Sequence, residues 1–119
     1  MTIAVWIASA LLALANLGAG GFKLLRPKPK LVEVQPWTND FGAAQIKGIG
    51  ALEVLAAVGL ILPPLTGIAP ILAAFAAVGV VILQAGAIAT HVRRHESIVP
   101  NIVLVLLAAF VAVGRFLGF

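Results

Sequence analysis

Apolar residues run along this chain in four long blocks, at about residues 2–25, 41–62, 67–91 and 98–117, separated by short polar stretches. Each block holds the ~20 residues a helix needs to cross a bilayer. Punctuation supports these limits. Thr38, Asn39 and Asp40 offer N-caps to the second block, Thr66 to the third and Ser97 to the fourth. Pro70 and Pro100 fall in first turns, where a missing N–H costs nothing. The pattern predicts an all-α fold, a transmembrane four-helix bundle forming one integral membrane domain over residues 1–119.

The connections are unequal. Residues 26–40, RPKPKLVEVQPWTND, carry three prolines and read as a non-helical polar loop, with LVEV and Trp37 along the membrane surface. PPLT reads as a tight turn between the second and third spans, and residues 92–97 as the last loop. The segment after Met1 lacks a basic n-region, so the first block reads as a retained span.

Composition agrees with the pattern. At 62% hydrophobic and 10% charged, the chain lacks the polar residues to coat a water-facing surface. Its net charge of +4 does not point to nucleic acid, because the basic residues flank apolar blocks as membrane anchors do. Lys23, Arg26, Lys28, Lys30, Arg93 and Arg94 lie on one side against Arg115 on the other, which places loops 26–40 and 92–97 in the cytoplasm and both termini outside. Trp6 then belongs to the outer interface and Trp37 to the inner one. With no cysteine, disulfides and thiolate metal sites are excluded.

Polar residues at membrane depth are the candidate chemistry. Counting ~1.5 Å per residue from the cytoplasmic boundary places His91 and Asn101 within about 5 Å, Lys47, Gln84 and Asn16 at about 8–13 Å, Glu53 near ~17 Å and Arg115 at about 25 Å. Asn16, Lys47, Gln84, His91 and Asn101 make a polar layer in the cytoplasmic half. Lys47 and Arg115 can extend to an interface, whereas Glu53 has no exit and needs a cation, a proton or a hydrated cavity. Arg115 is the nominated partner, against the alternatives of a functional carboxylate and a neutral acid facing lipid. His91 and His95 at i, i+4 suggest a metal only weakly, since a third ligand is missing; no metal is expected. Asn16 and Gln84 read as interhelical hydrogen-bonding groups. Small residues at Gly114/Gly118, Ala44/Gly48 and Ala85/Ala89 suit close helix packing, with Gly114/Gly118 also a candidate homo-oligomer face. No hydrolytic triad, nucleotide loop or paired carboxylates occur.

GGFKLL closing the first span, IKGIGALEVLAAVGLILP in the second, QAGAIATHVRRHE ending the third and GR late in the fourth resemble the DoxX-like family of small bacterial four-span membrane proteins. That resemblance marks Lys23, Lys47, Glu53, His91, Glu96, Asn101 and Arg115 as family polar positions. It implies the bacterial inner membrane and membrane or peripheral protein partners. The function it suggests is a non-catalytic subunit, or a component binding a quinone or other lipid, in a redox or stress-related assembly. A membrane assembly factor, an enzyme acting on a quinone- or sterol-like substrate and a small proton-coupled exporter are the alternatives. The absence of cysteine and of a cofactor ligand set argues against catalysis by the isolated chain.

Overall fold

The computed structural model describes residues 1–119. It contains α1 (Thr2–Leu25), α2 (Lys28–Val34), a 3₁₀ turn (Pro36–Asp40), α3 (Ala43–Thr66), α4 (Leu72–Arg93) and α5 (Val99–Phe116). The chain has no strands. α1, α3, α4 and α5 are each long and apolar enough to cross a membrane. They close a ring in which α1 packs on α3, α3 on α4, α4 on α5 and α5 back on α1. One end of the bundle carries α2 and the α4–α5 loop (the basic end); the other carries both termini and the α3–α4 turn (the terminal end).

Inward stripes follow helical spacing. In α3 the buried positions are Ile46, Gly50, Glu53, Ala57 and Leu60, and in α1 they include Leu12, Asn16, Gly20 and Lys23. Outward positions such as Leu14, Leu55, Phe75, Ile82 and Leu106 are exposed, as lipid-facing side chains must be. Toward the terminal end the core is largely apolar, built on Leu12, Leu60, Val80 and Val111 with alanines between them. Toward the basic end the same stripes turn polar.

Three local expectations are corrected. Segment 26–40 is helical, because its prolines occupy starts: Pro27 is the N-cap of α2, Pro29 lies in its first turn and Pro36 opens the 3₁₀ turn. α3 does not stop at Pro63 but runs to Thr66. The prolines sit in its final turns, where Thr66 Oγ1 donates to the Leu62 carbonyl at 2.8 Å and Gly67 N–H to that of Pro63 at 3.0 Å. Gly67, at φ 76°, supplies the left-handed C-cap. Thr66 therefore ends α3 and does not start α4, and Thr38–Asp40 do not cap α3. Gly42 is its N-cap, and the Gly42 N–H donates to Gln45 Oε1. Ser97 does not cap α5 either: Ile98 is the N-cap, and Ser97 Oγ only accepts from Val99 N–H at 3.4 Å.

A buried ion pair in a polar chamber

Glu53 meets Lys23, and not Arg115. Lys23 Nζ lies 2.8 Å from Glu53 Oε1, with both side chains almost fully buried. Two glycines allow this. A Cβ at Gly20 would stand 2.6 Å from the Gly50 carbonyl oxygen, and one at Gly50 would stand 2.9 Å from that of Gly20. Only hydrogen fits between α1 and α3 there. Gly20 precedes Lys23 by one turn and Gly50 precedes Glu53 by one turn, so the closest backbone approach sits beside the pair. Side chains also lean toward the N-terminus of their own helix. In antiparallel α1 and α3 this tilts Lys23 inward and Glu53 toward the basic end, and the two converge.

Arg115 serves the opposite end. Its Nη1 donates to the Phe119 carbonyl at 2.6 Å and its guanidinium carbon stands 4.6 Å from the Trp6 ring centre, a cation–π contact. Gly114 is taken up inside the bundle: a Cβ there would meet Val5 Cγ2 at 2.6 Å, so it brings α5 onto α1. Lys47 also departs from the expected polar layer. Its Nζ donates to the carbonyls of Lys23, Leu24 and Arg26, which the end of α1 leaves without helical donors.

The pair lines a chamber of about 170 Å³ that also draws on Asn16, Gln84, His91 and Asn101. Four of the five residues expected in the polar layer thus come together, and Lys47 does not. Asn101 Nδ2 donates to Gln84 Oε1 at 2.8 Å, joining α5 to α4. Asn16 Nδ2 donates to the Leu12 carbonyl at 2.8 Å. His91 Nδ1 lies 2.8 Å from Glu96 Oε1, so Nδ1 carries the proton of that hydrogen bond. His95 stands beyond the end of α4 at φ 58°, so the i, i+4 histidine face does not form.

Two wall residues had no site role in the sequence reading. Gln35 and Trp37 reach the chamber from the segment that covers the basic end. Trp37 packs edge-to-face on His91 at 6.0 Å and on Phe41 at 5.7 Å, and Lys23 Nζ lies 5.6 Å from its ring centre. Arg94 fastens this cover by donating to Asp40 Oδ1 at 2.9 Å and to Glu96 Oε2 at 3.3 Å. The His91 hydrogen bond, and then Arg94, hold the Glu96 carboxyl below the ordinary carboxylate range; Asp40 foremost holds Arg94 above its ordinary value.

Beside the chamber lies a second, largely apolar cavity of about 360 Å³ between α3, α4 and the 3₁₀ turn. Trp37, Ile49, Leu83, Ala87 and His91 line both spaces. A polar chamber and an apolar groove therefore share one wall.

This fold and this arrangement of inward polar residues define a small multi-pass membrane protein. A profile of the DoxX-like family matches residues 7–113, and the chain belongs to that family. No curated protein and no solved structure matches it.

Proposed function

We propose that this protein is a non-catalytic lipid-binding component of a redox- or stress-related assembly in the bacterial inner membrane, with both termini outside. The ligand is amphipathic, with a quinone the leading choice. Its headgroup occupies the chamber beside Lys23 and Glu53, and its tail lies in the groove lined by Ile82 and Gly86. The observation that carries this reading is the shared wall between polar chamber and apolar groove, which matches the two chemistries of such a molecule. The Lys23 contact favours a Glu53 held as an ion pair over the freely cycling carboxylate that a proton-coupled exporter needs.

The test uses the purified full chain in lipid nanodiscs, carrying Trp6→Phe so that Trp37 alone reports. Titration with a short-chain quinone should quench Trp37 saturably. Ala87→Phe, placed at the junction of the two spaces, should abolish saturation while the helical circular dichroism is unchanged. Quenching that rises linearly, or that survives Ala87→Phe, would refute the reading.

A further inference from the structure

Two arginines close the basic end of α4, and only one is engaged. Arg94 pairs with Asp40 and Glu96, whereas Arg93 is exposed and makes no ion pair. Arg93 lines the apolar groove between α3 and α4, together with the aromatic rings of Trp37 and Phe41. Aromatic side chains favour the headgroup level of a bilayer, so this end of the groove marks the membrane boundary. From Arg93 the groove follows α4 past Thr90 and Gly86 to Ile82 and Leu83. There it meets a further cavity of about 350 Å³, walled by Leu52, Leu55, Ala76 and Gly79. A Cβ at Gly79 or Gly86 would meet nothing within 4 Å, so the chain itself leaves this seam unfilled.

A free cation at the boundary and an apolar channel below it call for an anionic head on a hydrocarbon chain. The dimensions agree. Spread over the ~16 Å of α4 between Arg93 and Ile82, the groove's 360 Å³ gives a cross-section on the order of 20 Å². One extended hydrocarbon chain fills that, and a helix about 10–12 Å across does not enter it. An acidic segment of a soluble protein could meet Arg93 but not the apolar floor. From Arg93 to Gly79 the seam runs about 21 Å along α4, enough for a chain crossing one leaflet of ~15 Å. We infer that the α3–α4 seam holds an anionic glycerophospholipid of the leaflet at the basic end. Its phosphate meets Arg93, and one acyl chain lies along Gly86 and Ile82 toward Gly79. This binding stands apart from the ligand proposed above, whose tail would have to displace the acyl chain from the same groove.

The test places the full chain, carrying Trp6→Phe, in vesicles of equal parts phosphatidylglycerol and phosphatidylcholine. In one set only the phosphatidylglycerol has brominated chains, and in the other only the phosphatidylcholine. Quenching of Trp37 by the two sets gives the relative affinity of the groove for the two lipids. Phosphatidylglycerol should be preferred about fivefold, the factor expected from about 1 kcal/mol for one cation at the headgroups. Arg93→Gln should bring the preference to within about twofold. Lys30→Gln, which removes the same charge from α2, should leave it unchanged. Gly86→Leu, which fills the groove, should abolish the preference while the helical circular dichroism persists. If Gly86→Leu does not fold, the comparison of Arg93→Gln with Lys30→Gln decides alone. No preference in the parent chain would overturn the inference. Equal losses in the Arg93 and Lys30 variants would also overturn it, the attraction then being the diffuse field of the basic end. A preference that survives in folded Gly86→Leu would overturn the placement of the chain in the seam.

Discussion

Lys23 and Lys47 are both lysines near one membrane boundary, yet they solve different problems. Lys23 neutralises a buried carboxylate, and Lys47 satisfies carbonyls that α1 leaves open. Removing one member of a buried pair strands the other, at a cost of about 3–5 kcal/mol. Lys23→Met should therefore lower stability by that order in an SDS-unfolding titration, as should Glu53→Gln to a lesser degree. The double variant should lose clearly less than the sum, which a double-mutant cycle measures. Lys47→Met should cost about 1 kcal/mol and should speed hydrogen exchange locally at the end of α1. That Glu53 needs a cation, a proton or a hydrated cavity was legible in the sequence; that it takes a cation, and which one, was not. Depth counted along helix axes favoured Arg115, because such counting ignores the lean of each side chain. The signal available was the stripe Leu12, Asn16, Gly20, Lys23, which puts the lysine on the inward face of α1.

At the scale of elements, small residues decide which helices touch, but only some of them. Gly20 and Gly50 face each other across α1 and α3, whereas a Cβ at Gly48 would meet nothing within 4 Å. Gly50→Ala should push the helices apart, cost about 1–3 kcal/mol by overpacking and loosen the ion pair. Gly48→Ala should be neutral, or stabilising by up to about 1 kcal/mol. Thermal denaturation of the two variants in one detergent is the comparison. The four spans were readable because hydropathy and length are properties of single helices. Segment 26–40 was misread because a count of prolines does not say whether each begins an element or interrupts one. Spacing alone also could not separate Gly50, which meets α1, from Gly48, which meets nothing.

Across the whole molecule, the cover over the basic end is held by charges whose state depends on pH. The Glu96 carboxyl is held below its ordinary 4.5, first by His91 and then by Arg94. Its contribution is complete above 4.5 and is lost as pH falls through the lower folded-state value. Acidification in that range should release the cover, seen as a red shift of Trp37 emission and faster proteolysis within residues 26–40, while the spanning helices persist. The proposed orientation has an equally direct check. The chain has no cysteine, so Ser97→Cys and Gly118→Cys should react with an impermeant maleimide from opposite sides of the membrane. The division of the interior into a polar half and a largely apolar half has a further electrical consequence. A transmembrane voltage falls mostly across the medium of low permittivity, here the layer of Leu12, Leu60, Val80 and Val111. Lys23 and Glu53 lie to one side of that layer and together carry no net charge. Each elementary charge moved through the full field is worth about 2.3 kcal/mol per 100 mV, yet a neutral pair outside the steep part of the field feels little of it. The ligand affinity of the chamber should accordingly be nearly the same in energised and in depolarised vesicles.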